Sequence, residues 1–107
     1  MKTRLVSTLT AVVLVVALPA FAAGPDGAAL YKAKCALCHG ADGSGQTPVG
    51  KSMKMPDLRS AEVQKLTDIE LTKVISGGKG KMPAYGQKLT TAEIQSIIAQ
   101  IRTLNSK

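Results

Sequence analysis

Six consecutive residues, Cys35-Ala36-Leu37-Cys38-His39-Gly40, contain every cysteine and the only histidine of the chain. Cys-x-x-Cys-His is the spacing that attaches a c-type haem. Two thiols three positions apart near a helix end can each add to one of the two vinyl groups of a porphyrin. The imidazole that follows then faces the iron as its proximal ligand. Three other chemistries use parts of the same set. A Cys35–Cys38 disulfide would close a short, strained ring and leave His39 without a role. A structural zinc ion takes four ligands, and the chain has no second pair of Cys or His. A redox dithiol belongs in a βαβ setting, which this sequence does not offer. Haem attachment is the reading that uses all three side chains.

The opposite face of the iron needs its own donor. With histidine used up, methionine is the soft candidate, and His/Met ligation raises the reduction potential of a haem iron. Met53, Met55 and Met82 follow the motif. Met82 lies in Gly80-Lys81-Met82-Pro83-Ala84-Tyr85, where Pro83 keeps it out of helical geometry, and the loop is expected to lie extended against the haem face. Met55 also precedes a proline and is a rival. A methionine is more often core filler than a ligand. An iron lacking any other soft donor shifts that balance, and Met82 is preferred over Met55.

These groups must be positioned by helices, because the apolar residues recur at helical spacing and no segment alternates like a strand. A first helix is expected over 27–38, with Asp26 as N-cap. Three glycines between Gly40 and Gly45 then make a loop, expected to run on to Pro56. A short helical turn is expected over 60–66. Thr67-Asp68-Ile69-Glu70 is a capping box opening a middle helix that Gly77-Gly78 stop. Thr90-Thr91-Ala92-Glu93 is a second capping box. Behind it, Ile94, Ile97, Ile98, Ile101 and Leu104 form an apolar stripe. Small residues on the first helix, Gly27, Ala28, Ala29 and Ala33, allow that stripe a close approach. The fold class is therefore all-α, with crossing N- and C-terminal helices and a middle helix beside them.

The chain has 107 residues and a formal charge of +7, with two tyrosines, one phenylalanine and no tryptophan. Residues 1–22 have the three parts of a secretory signal peptide: basic Lys2 and Arg4, an apolar run from Ala11 to Leu18, and Ala20-Phe21-Ala22 before the cut. Ser7, Thr8, Thr10 and Pro19 weaken the alternative of an uncleaved anchor, which needs ~20 mostly apolar residues. Residues 23–107 are then the working domain, still basic and short of large apolar side chains. A domain so small usually needs a staple, and a prosthetic group would supply the missing core.

CALCHGADGSGQTPVG together with LTDIELTKVISGGKGKMPAYGQKLTTAEIQSIIAQIRTL resembles the class I c-type cytochromes, in particular the short monohaem bacterial and cyanobacterial ones, over residues 26–105. The resemblance implies the small cytochrome c fold around one haem c held by thioethers to Cys35 and Cys38. It implies His39 and Met82 as axial ligands, and the Pro48 carbonyl as acceptor for the His39 Nδ1–H. Gly27 and Tyr31 match the positions where the terminal helices cross. Two departures stand out. Gln100 replaces an aromatic residue of the last helix, so a looser terminal-helix contact is expected. No tryptophan is available for a haem propionate, leaving Tyr85, Arg59 or Lys51 to serve.

An iron with both axial positions filled has no open site for substrate, so the expected function is one-electron carriage in the periplasm or an equivalent compartment, without enzymatic activity. The expected partners are larger redox complexes, with only transient contact at membrane complexes, and the protein is expected to be a monomer. Lys51, Lys54, Lys73, Lys79, Lys81 and Lys88 could ring the haem opening and steer toward acidic docking surfaces, or simply be a solvated surface. Nucleic acid is a poor partner for an exported protein. The alternatives are a dedicated electron-transfer subunit of one oxidoreductase complex, or a haem enzyme or gas-binding protein with an open sixth site. The last would lack a distal acid–base residue, since no second histidine exists.

Overall fold

The computed structural model describes residues 2–3, 8–17 and 24–105. The expected cleavage after Ala22 falls outside the described residues. Residues 8–17 carry no regular secondary structure, and Leu9 and Val12 through Val16 stand exposed there. No helix among the described residues is long and apolar enough to cross a membrane.

Among the described residues, six helices follow: α1 (Gly27–Lys34), α2 (Ala36–His39), α3 (Pro48–Met53), α4 (Ala61–Gln64), α5 (Asp68–Gly77) and α6 (Thr91–Leu104). Among the described residues there is no strand, only an isolated bridge between Lys79 and Met82. The start signals act as their chemistry requires. Asp26 accepts the Ala29 amide at 3.1 Å, and both capping boxes close in both directions, Thr67 with Glu70 and Thr90 with Glu93. Each such cap stabilises its helix by about 1 kcal/mol.

Two expectations need correction. The single helix over 27–38 is broken at Cys35, whose backbone turns to φ −113°, ψ −36°. Hydrogen bonds still run from Cys35 N to Tyr31 O and from His39 N to Cys35 O, so the chain changes course at the first cysteine without abandoning those amides. The stretch 48–53 is helical rather than loop. Thr47 caps it by accepting the Gly50 amide at 2.8 Å, and Pro48 sits at the first helical position, where its missing N–H costs nothing.

The isoleucine stripe of α6 packs as expected, with Ile97 and Ile98 fully buried, each stabilising by roughly 1.5–3 kcal/mol. α6 crosses α1 so closely that a Cβ on Gly27 would strike the Ser96 carbonyl. The looser contact expected from Gln100 does not arise, because backbone approach at Gly27 and the buried ring of Tyr31 close the crossing. Arg102 fastens α6 to the chain between α4 and α5. It donates to the carbonyls of Gln64 and Leu66 and pairs with Asp68 at 2.8 Å.

Candidate functional site

The site is assembled from two separate pieces of backbone. The first carries Cys35, Cys38 and His39 on α2 and its flanks. Three consecutive carbonyls are fixed there. Thr47 Oγ1 donates to Cys38 O at 3.1 Å, the Gly45 amide to His39 O at 2.7 Å, and buried Tyr31 Oη to Gly40 O at 2.7 Å. α3 presses in from behind, and a Cβ on Gly50 would run into the backbone of Gly45 and Cys38. The loop between them is shaped by Asp42 Oδ1, which accepts from the amide and hydroxyl of Ser44. The amide bond chiefly holds the Asp42 carboxyl below its ordinary pKa.

The second piece carries Met82. The expected extended loop begins instead with a tight turn, in which Lys79 and Met82 exchange amide hydrogen bonds at 3.3 and 2.9 Å. Beyond Pro83, the amides of Tyr85 and Gly86 donate to Ile75 O and Ser76 O of α5. Tyr85 Oη donates to Lys34 O at 3.2 Å.

Between the two pieces lies a cavity of about 580 Å³, within the range of small-molecule and cofactor sites. Tyr31, Leu58, Leu71, Ile75, Ile97 and Ile101 belong both to its wall and to the hydrophobic core, so the core is built around this space. Cys35, His39, Met55 and Met82 line it, as do Lys54, Lys79 and Lys81. A smaller hollow of about 30 Å³ next to it adds Cys38, Lys34, Pro83 and Tyr85. The fold thus brings together Cys35, Cys38, His39 and Met82, and it brings Met55 to the same place.

The donor chemistry fits a haem. His39 Nδ1 is buried without a hydrogen-bond partner, and burial holds the imidazole below its ordinary pKa. It is therefore neutral, the form that ligates metal. Cys35 and Cys38 are free thiols. Burial, with the neighbouring Cys38, pushes the Cys35 thiol up to about 11, opposite to the lowered value of a reactive redox thiol. Among the described residues no group of three or more His, Cys, Asp or Glu side chains could hold a bare metal ion. A planar macrocycle carrying its own donors suits this mostly apolar cavity better.

Several candidates stand elsewhere than expected. The bond from His39 Nδ1 to the Pro48 carbonyl is not formed. Pro48 opens α3, where a first-turn carbonyl points along the helix axis into its ladder, and it lines neither cavity. Pro56 lines the main cavity and Pro83 the smaller hollow. Of the six lysines, Lys51, Lys73 and Lys88 line neither hollow, and Lys88 instead sits 5.7 Å from the Tyr85 ring centre. Lys34 reaches the hollow and went unforeseen, although its place beside Cys35 could have signalled it. Of the three propionate candidates only Tyr85 lines a hollow. Arg59 is held by Asp57 through two 3.0 Å hydrogen bonds. Val63 and Leu66 also line the main wall, and no motif announced them.

Comparisons with known proteins agree with this chemistry. The family described as cytochrome c oxidase, cbb3-type, subunit III matches residues 22–101. Cytochrome c6 of Synechococcus sp. is 32% identical over 106 residues, covering 98% of this chain and 92% of its own. A cbb3-type cytochrome c oxidase subunit FixP of Azorhizobium caulinodans is 29% identical over 82 residues, 77% of this chain but only 27% of that longer protein. The solved KustC0563 c-type cytochrome superposes with a TM-score of 0.69 at 30% identity, over 75% of this chain and 98% of its own. With the all-α architecture and the Cys-x-x-Cys-His cavity, these likenesses place the chain in the class I c-type cytochromes, a family that carries covalently attached haem c.

Proposed function

We propose that the protein is an exported monohaem electron carrier with His39 and Met82 as axial ligands. The observation that carries this is the apolar cavity with His39 on one wall and Met82 on a separate loop. The haem would supply reversible one-electron exchange, held by Cys35 and Cys38. The chain's own residues fix the iron's surroundings and exclude water, so little rearrangement opposes transfer.

The geometry favours Met82 over Met55. Met55 donates its amide to Gly50 O at 2.9 Å and packs on Gly45, whose own amide holds the His39 carbonyl. These contacts tie Met55 to the backbone that holds His39, which supports Met82, on a separate loop, as the donor to the other face of the haem. Lys54, Lys79 and Lys81 line the main cavity and Lys34 the smaller hollow, a basic surround that suits an acidic docking surface on a redox partner. Export is supported by the three-part leader and by the exposed apolar segment 12–16, which joins no core.

A second reading, a dedicated electron-transfer subunit of one oxidoreductase complex, is favoured by the cbb3-type family match. Visible spectra of the purified exported protein, oxidised and dithionite-reduced, test the carrier chemistry common to both. Sharp reduced c-type bands, with a weak long-wavelength sulfur-to-iron band when oxidised, are expected. A high-spin spectrum that shifts with carbon monoxide would mean an open sixth site and overturn the carrier reading. Purification from the native membrane and soluble fractions separates the two forms, because a dedicated subunit stays with its complex.

A further inference from the structure

The haem reading accounts for the cavity. What the function does not absorb is Tyr85. Its hydroxyl donates to the carbonyl of Lys34, the last residue of α1 and the neighbour of Cys35. Among the described residues this is the only hydrogen bond between the segment 78–89 and the half of the site that holds Cys35, Cys38 and His39. The other bonds of that segment are internal or lead to the last turn of α5. The Lys88 ammonium lies 5.7 Å from the Tyr85 ring centre, a cation–π geometry that favours the observed ring position.

We propose that Tyr85 is a positioning residue, a latch that closes the Met82 loop onto the haem-attachment turn and so sets how readily Met82 leaves the iron. The inference rests on Met82 being the axial ligand. Its physics is a population shift. An outside ligand reaches the iron only when the loop is open, so its apparent affinity scales with the open fraction. Removing one hydrogen bond from the closed form raises that fraction without changing the proposed ligands of the iron.

The experiment uses the full-length, haem-loaded ferric protein and imidazole as probe. Binding is followed by the Soret shift and by loss of the sulfur-to-iron band. Tyr85→Phe is expected to bind imidazole about three- to tenfold more tightly than wild type, the factor corresponding to one net hydrogen bond. The sulfur-to-iron band stays in place before imidazole is added. Gln95→Ala serves as the control for general loosening. It removes an exposed bond of similar length, Gln95 Nε2 to Thr72 Oγ1 at 3.0 Å, which joins α6 to α5. Its imidazole affinity should match wild type. Equal affinity in Tyr85→Phe and wild type overturns the latch while leaving the ligand assignment standing, and so does an equal rise in Gln95→Ala. A wild-type protein without the band, spectrally unchanged by Met82→Ala, overturns the ligand assignment and the latch with it.

Discussion

The two walls of the cavity are held in different ways. Around His39, the carbonyls of Cys38, His39 and Gly40 each accept a hydrogen bond from a different part of the chain, and α3 lies in backbone contact behind them. Around Met82, the turn is fastened mainly to itself and to the end of α5, with one side-chain bond to the other wall. The difference follows from what each wall must do. The imidazole wall also carries both thiols, so its geometry has to match three atoms of one rigid group. The methionine wall presents one flexible sulfur, and a thioether with three rotatable bonds tolerates error in its backbone.

Glycine substitutions in the two walls should break this symmetry most sharply. Gly50→Ala places a methyl against the backbone of Gly45 and Cys38, where no side chain can yield. We expect a loss of about 3 kcal/mol and a poor yield of haem-loaded protein, read by thermal unfolding and the haem-to-protein absorbance ratio. Gly78→Ala should do less to folding and more to ligation. Its Cβ would lie 2.7 Å from Met82 O at a φ of +74°, a conformation that costs a non-glycine residue about 2 kcal/mol. The loop can move to relieve it. The expected result is a folded, haem-bearing protein with a weakened sulfur-to-iron band. Equal damage to both signals in the two variants would argue against walls of unequal rigidity.

The smallest effect concerns acid. The Asp57 carboxyl is held below its ordinary value, mainly by the side-chain hydrogen bond from Arg59. A folded pKa below the unfolded one gives stability that is complete above the unfolded value, about 3.9. It is lost as pH falls through the folded value. Asp57→Asn should therefore reduce stability slightly at neutral pH and flatten this part of the acid limb in urea unfolding. Arg59 also stands 3.8 Å from Asp42 of the loop beside His39, but the bonds to Ser44 chiefly hold that carboxylate, so the haem spectrum at neutral pH should change little.

Legibility in the sequence followed the range of the interactions. The Cys-x-x-Cys-His spacing, both capping boxes and the isoleucine stripe are local patterns, and each became the element its chemistry requires. α3 was hidden because Pro48 and Gly50 read as a continuation of the glycine-rich loop before them, although Thr47 and Pro48 form a sound helix start. The break at Cys35 has no composition signal, since neither proline nor glycine stands there. Pro48 drew attention through resemblance, but it opens α3 and lines neither hollow, whereas Pro56, beyond that helix, lines the main cavity. Val63 and Leu66 became cavity lining only through packing between distant segments, and no periodicity reports that. Lys34 and Lys81 share the small hollow for the same reason.

On the proposed ligation, the sulfur on the iron comes from the loosely held wall. Ferric spectra and midpoint potentials of Met82→Ala and Met55→Ala, each purified with haem, test it most directly. Met82→Ala is expected to lose the sulfur-to-iron band and fall in potential, because loss of His/Met ligation lowers it, while Met55→Ala keeps both. Survival of the band in Met82→Ala with its disappearance in Met55→Ala would contradict it.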